Sequence, residues 1–221
     1  MNILNEVFDQ IYIITSPYTQ DRLPDLMEKL EKEKIKYHLI FAPRKDYLKR
    51  IVHAKYTFDE WSVSKGNRSC WSGNESAFLH AKYNNYSSIC IMEDDIYFAK
   101  DYKKKLKTFF KEIPCDWEIL NLGWHIWNYP KDFNPIYERI EKDSKITGCH
   151  ITGYRFVLDY MLKKWKNCKE PKPTDNFLLD EVFHECISYT AKEKMFLQSS
   201  IRDNEPDSKM YYKKYPTQID D

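Results

Sequence analysis

The opening of the chain restricts its fold more than any later stretch. Ile11-Tyr-Ile-Ile-Thr15 is a β-branched apolar run cut short by Ser16-Pro17, the pattern of a buried strand ending in a turn. Leu23, Leu26, Met27 and Leu30 then recur at helical spacing with Lys and Glu between them, which predicts an amphipathic helix to about Lys34. Tyr37-His-Leu-Ile-Phe-Ala42 reads as a second strand, stopped by Pro43. Strand, helix and strand in so short a span form a βαβ unit, which predicts a mostly parallel sheet with helices on its faces.

The rest of the chain continues the alternation. The spacing predicts a loop with a short helix over 44–65, helices over 71–83, 102–110, 155–165 and 176–186, and strands over 88–92, 117–122 and 146–152. Residues 124–135 read as an aromatic loop, and the chain after Ile201 as a polar tail. The expected architecture is one α/β, Rossmann-like domain with about six strands alternating with helices. Its nucleotide-binding part would lie over about 10–122, its acceptor-side part over 123–203 and the tail over 204–221.

Composition narrows the function. Thirty-five basic and 34 acidic residues leave a net charge of +1, so nothing in the chain captures nucleic acid by charge alone. The Lys103-Lys104-Lys105 run is read as a solvated helix face. With only five glycines there is neither a GxxxxGK[ST] nor a GxGxxG phosphate cradle, which argues against kinase and dehydrogenase chemistry. Six cysteines without a CxxC pair predict reduced thiols, and Cys149-His150 and His184-Glu-Cys186 match no standard zinc spacing. The start lacks the basic and apolar regions of a signal peptide, and no run approaches the ~20 apolar residues of a membrane span, so a cytoplasmic location is expected.

The chemistry concentrates after the strand at Ser88-Ile-Cys-Ile-Met92, which runs straight into Glu93-Asp94-Asp95. In open α/β sheets ligands gather beyond the carboxyl ends of the strands. Three adjacent carboxylates repel one another unless cations or hydrogen bonds compensate. Strand alternation would turn Glu93 and Asp95 one way and Asp94 the other, giving two oxygen donors for a hard cation such as Mn²⁺ or Mg²⁺. A diphosphate bridged by metal, without a glycine loop, fits a nucleotide-sugar transferase.

Several separated segments resemble glycosyltransferase family 25, the group of lipooligosaccharide glycosyltransferases and procollagen galactosyltransferases. They are the Ile11–Pro17 strand with Asp21-Arg22, Lys34-Ile35-Lys-Tyr37 with Phe41-Ala42-Pro43, and Gly66-Asn-Arg-Ser-Cys70-Trp-Ser72. Ile89-Cys-Ile-Met-Glu93-Asp94-Asp95, Pro173-Thr-Asp175-Asn-Phe177-Leu178 and Gln198-Ser199-Ser200-Ile201 complete the series. The sequence departs at Gly73, where the family pattern has a histidine after the serine, and at Thr15, where it has an asparagine. The resemblance implies a GT-A fold and a metal-dependent, inverting transfer of a hexose, from a UDP-sugar, to a glycan or glycoprotein hydroxyl.

Roles follow. Asp95 is the first candidate for metal, with Glu93 as second ligand or ribose contact, and His150 or His184 as a further nitrogen ligand. Asp94 would face the donor sugar. Thr15, Ser16 and Arg22 lie where such folds receive the nucleotide, and the planar fork of Arg22 suits a diphosphate. Ser72 and Asn74 are candidates for base or sugar contacts. Asp175 is the candidate general base, with Asp180 and Glu181 in reserve, although its position also suits a helix N-cap. Trp124, Trp127 and Tyr129 could stack on an acceptor sugar. The alternative is a transferase-like module that only binds a nucleotide or glycan.

Overall fold

The computed structural model describes residues 2–16, 19–42, 65–126, 135–142, 144, 146–168 and 173–198. After a short helix α1 (Leu4–Val7), strand β1 (Gln10–Thr15), a single 3₁₀ turn (Gln20–Arg22), helix α2 (Leu23–Lys32) and strand β2 (His38–Phe41) build the βαβ unit. Helix α3 (Lys65–Tyr83), strand β3 (Ser88–Glu93), the short strand β4 (Ile96–Phe98), helix α4 (Tyr102–Glu112) and strand β5 (Ile119–Ile126) follow. The second half adds β6 (Tyr137–Arg139), β7 (Ile146–Arg155), α5 (Leu158–Asn167), α6 (Thr174–Glu181), β8 (Ser188–Ala191) and β9 (Phe196–Gln198).

Seven strands form one sheet in the order β2-β1-β3-β7-β5-β8-β6. β1 pairs in parallel with β2 and β3, and β5 with β8. β7 runs antiparallel between β3 and β5, and β6 antiparallel to β8. Five of the seven strands therefore point the same way, and the sheet is mostly parallel in direction. The sequence carried no sign of the reversed strand, since apolar alternation is blind to direction. β4 and β9 form a separate antiparallel ribbon in which Ile96 faces Gln198.

The unbroken apolar character of β1 and β3 is explained by burial on both faces. Ile11, Ile13, Cys90, Met92, Leu120 and Leu122 pack toward α1, α2 and α4 through Leu4, Leu26, Leu30, Leu106 and Phe109. Tyr12, Ile14, Ile89, Ile91, Ile119 and Tyr154 pack the other way, toward α3, α5 and α6. An aromatic cluster ties those three helices together. Trp71 of α3 lies with its ring 4.1 Å from Trp165 of α5, and Phe177 of α6 meets both edge-on at 5.1 and 4.9 Å. Phe177 is fully buried, so the first turn of α6 is held where it stands. Losing such an aromatic from a core typically costs about 3–5 kcal/mol.

Glycine 73 marks the tightest crossing. A Cβ there would lie 2.4 Å from Cγ2 of Ile14, so α3 passes β1 with no room for any side chain. A histidine here, as in the pattern the sequence resembles, would not fit against Ile14 without a shift of α3 or β1.

Candidate active site

β1 and β3 end side by side, with Ile14 opposite Glu93. The strand stops at Glu93, and Asp94-Asp95 form the two-residue turn that leads into β4. This corrects the expectation from alternation: Glu93 and Asp95 do not share a strand face, because strand geometry has ended before Asp95. Asp94 and Asp95 instead share one cation. Arg22 Nη1 lies 3.6 Å from Asp94 Oδ1 and 3.2 Å from Asp95 Oδ2. Neutral donors reach the Oδ2 atom of each carboxylate, while Asp95 Oδ1 is buried with no hydrogen-bond donor. The hydroxyls of Thr15 and Thr19 donate to Asp94 Oδ2 at 2.7 and 2.5 Å, and the amide of Gln198 donates to Asp95 Oδ2 at 3.0 Å. Asp94, at 8% exposure, is fastened to the end of β1.

Glu93 faces the other way, into a cavity of about 170 Å³. Cys70 and Asn74 of α3, Cys149, His150 and Thr152 of β7, Thr174 and Asp175 of α6, and Gln198 line it with Glu93. The topology brings them together: β7 lies beside β3, and the aromatic cluster sets α6 over the sheet edge. Burial raises the Glu93 carboxyl, and the neighbouring charge of Asp95 adds to the effect, lifting it to about 8. Burial and Glu93 together push the Cys70 thiol well above its usual range, so it stays protonated. It donates to Glu93 Oε1 at 3.3 Å, and the Asn74 amide donates to the Cys70 carbonyl at 2.9 Å.

Asp175 occupies the first turn of α6, after Pro173 at the cap position, so it is not the N-cap. One of its oxygens accepts the Asn176 amide at 2.9 Å, which satisfies a first-turn N–H in the manner of a cap. Its charge reaches Glu93 and Cys149 across the cavity. Asp180 and Glu181, in the last turn of α6, are not among the residues lining the cavity.

The other expected residues divide. Thr15 and Ser16 are buried at the end of β1 against the acidic turn. Asn74 and His150 face the cavity, whereas Ser72 is buried outside its lining and His184 sits in the 3₁₀ turn Phe183–Glu185, away from it. Trp124 requires a correction. β5 continues past Gly123 through two irregularities in its pairing with β7, so Trp124 lies within a strand rather than a loop. It is 2% exposed and its indole N–H donates to the Ala191 carbonyl at 2.5 Å, which makes it a core residue and no surface for a sugar. Trp127 and Tyr129 lie outside the described residues, as do residues 204–221. Sequence reasoning gave no site role to Cys70 or Gln198. Both stand in segments that carry the family resemblance, and that was their only signal.

The donor set around the turn consists of carboxylate oxygens, which suit a hard divalent ion. Among the described residues no group of three or more His, Cys, Asp or Glu side chains forms a ready-made cage. Mg²⁺-type sites commonly take one or two protein carboxylates and leave the remaining positions to water and substrate phosphate. Asp94 and Asp95, which share the turn, fit as that protein half.

Among the described residues no helix is long and apolar enough to cross a membrane. All six cysteines are free thiols. A glycosyltransferase involved in the glycosylation of the major capsid of PBCV-1 has a similar structure, with a TM-score of 0.51 over 93% of this chain and 99% of that one at 10% identity. That likeness gives the fold, a GT-A-type α/β domain. Procollagen galactosyltransferase 1-A of Xenopus laevis is 22% identical over 129 residues, 52% of this chain and 21% of the relative, so the chain spans about a fifth of that protein's length. Residues 8–155, more than half of the chain, match the family described as glycosyltransferase family 25 (LPS biosynthesis protein). The chain therefore belongs to glycosyltransferase family 25.

Proposed function

We propose that this glycosyltransferase moves a hexose from a UDP-sugar to a hydroxyl of a glycan or glycoprotein, with inversion at the anomeric carbon. The observation that carries the reading is the convergence of Asp175 and Glu93 on one cavity next to the acidic turn, at the edge of the sheet where α/β folds bind ligands. A divalent ion on Asp95, with Asp94 beside it, would supply neutralisation of charge on the leaving diphosphate. Asp175 accepts the proton of the acceptor hydroxyl as that oxygen attacks. Asn74, Thr174 and Thr152 offer hydrogen bonds to sugar hydroxyls within the cavity, and Ser16, buried just past the end of β1, would receive the nucleotide.

Asp175→Asn tests it, because asparagine keeps the size of the side chain and cannot take a proton at neutral pH. Donor hydrolysis and transfer should fall by about 10²–10⁴-fold in kcat while UDP-sugar affinity, read by calorimetry with Mn²⁺, stays within about twofold. Full turnover in that variant would remove Asp175 from the chemistry. An equal loss of donor affinity and rate would place it on the donor side instead.

A further inference from the structure

Helix α4 turns a ridge of one sign outward. It buries Tyr102, Leu106 and Phe109, and Lys104, Lys107 and Lys111 recur at helical spacing on the opposite face, all three exposed. Lys100 and Lys103 flank the ridge and are exposed as well. Two lysines of the helix are engaged, Lys103 with Glu33 at 2.7 Å and Lys105 with Glu193 at 3.7 Å. Among the described residues no ion pair takes up Lys104, Lys107 or Lys111. The acids of this segment, Asp101 and Glu112, stand at its two ends.

The helix gains little from this arrangement. Lysines three and four residues apart repel one another. The first turn holds Lys103, Lys104 and Lys105 with no acidic residue, against the helix dipole, and Asp101 at the cap position makes no capping bond. Lys111, in the last turn, does suit the dipole. A face kept only for solubility mixes both signs, as α2 does with Asp25, Glu28, Glu31 and Lys32. Nor does the ridge reflect a basic chain, because the whole sequence carries a net charge of +1.

A recess of about 220 Å³ adjoins the ridge, on the far side of the sheet from the Glu93 cavity. Phe109, Ile136 and Met195 line it with apolar surface, and Lys104 belongs to both ridge and recess. Of the two acids in the recess, Glu193 is taken up by Lys105, and Asp101 lies in sequence between Lys100 and Lys104. A row of point charges on one helix, next to an apolar recess, complements a surface that presents phosphates in a plane above hydrocarbon. The helix has no arginine, Tyr102 and Phe109 are buried and Phe110 is half-buried, so it lacks the forks and open rings that nucleic-acid sites use.

We infer that α4 docks the protein on a membrane surface of anionic phospholipid, with the lysine ridge against headgroup phosphates and apolar lipid in the adjoining recess. The inference is independent of the transfer reaction and of any metal.

The test is co-sedimentation of the full chain with vesicles of phosphatidylcholine alone and of phosphatidylcholine mixed with phosphatidylglycerol. Only the mixed vesicles should hold the protein, and added salt should release it. Each of Lys104→Gln, Lys107→Gln and Lys111→Gln should weaken binding about fivefold, and the triple variant about 10²-fold. The triple variant should keep its Tm, because like-charge pairs are lost along with the charges. Lys163→Gln/Lys166→Gln removes two exposed lysines from α5, on the other face of the sheet, and should change binding by less than about twofold. Equal losses per lysine on α4 and α5 would reduce the effect to net charge and overturn the inference, as would a failure of the wild-type chain to bind the mixed vesicles. A marked fall in Tm of the triple variant would assign the lysines to the fold instead. Binding of a single-stranded oligonucleotide as tight as that of the mixed vesicles, and lost in the same triple variant, would replace the membrane by a general polyanion.

Discussion

Replacing Gly73 by alanine sets two effects of opposite sign against each other. Within a helix, alanine is favoured over glycine by about 0.8–1.0 kcal/mol, so on propensity alone the variant should be more stable. The crossing with β1 opposes this. The added methyl would stand 2.4 Å from Ile14 Cγ2, more than an ångström inside normal carbon contact. That carbon is one bond from the Ile14 Cβ and cannot swing clear as the end of a long side chain could. Ile14 is 5% exposed, and its strand is clamped by pairing to Ile40 on one side and Glu93 on the other. The helix must therefore give way. Overpacking of this kind costs about 1–3 kcal/mol, which exceeds the propensity gain over most of its range. A net loss of about 1–2 kcal/mol lowers Tm by roughly 2–8 °C for a chain of this size.

The same displacement carries Cys70 and Asn74, one turn earlier and one residue later on α3, away from Glu93, so kcat should fall as well. The assay is thermal and denaturant unfolding of the single variants and of Gly73→Ala/Ile14→Ala. Ile14→Ala alone should cost about 2–5 kcal/mol, and the pair should cost less than the sum because the methyl fills the space vacated. A rise in Tm for Gly73→Ala, or strict additivity in the double variant, would refute the steric reasoning.

Two further outcomes are expected. Trp124→Phe removes the buried donor to the Ala191 carbonyl and should cost about 1–3 kcal/mol in denaturant unfolding while leaving acceptor KM unchanged; raised KM with normal stability would return Trp124 to the surface. Burial, with the charge of His80 second, holds the His38 imidazole below its usual value, the two rings standing 4.4 Å apart. The unfolded chain then binds that proton first, so stability should drop as pH falls below about 6.5 and the drop should shrink in His38→Phe, followed by Tm across pH 5–7.5.

Much of this was legible because local periodicity and burial agree. β1, α2, β2 and β3 stand within a residue or two of where spacing puts them, and Asp175 converges on Glu93 although 82 positions separate them in the sequence. The misses have specific causes. Alternation failed at Asp94 because a turn begins there, and no residue type announces that the strand has stopped. Trp124 was misplaced because Gly123 reads as a breaker, whereas here it admits a close approach: a Cβ would sit 3.3 Å from both His150 and Ile151. The partnership of Arg22 with the acidic turn, and that of Gln198, are tertiary facts between distant segments. Local pattern cannot show them.

The reversed strand β7 has a consequence for how the chain acquires its structure during synthesis. Residues 10–122 read in sequence as a nucleotide-binding half, yet β3 and β5 do not touch one another in the sheet; β7, which ends at Arg155, is the strip between them. Until it emerges, β3 has an open edge and β5 has no place in the sheet, so the first half is exposed to wrong pairings. The acidic turn waits longer still, because its Gln198 contact closes a separation of 103 residues. Contacts so far apart along the chain are slow to form. A ribosome-bound chain should thus hold β1, α2 and β2 early and complete its acidic turn only as β9 is delivered, in one late step.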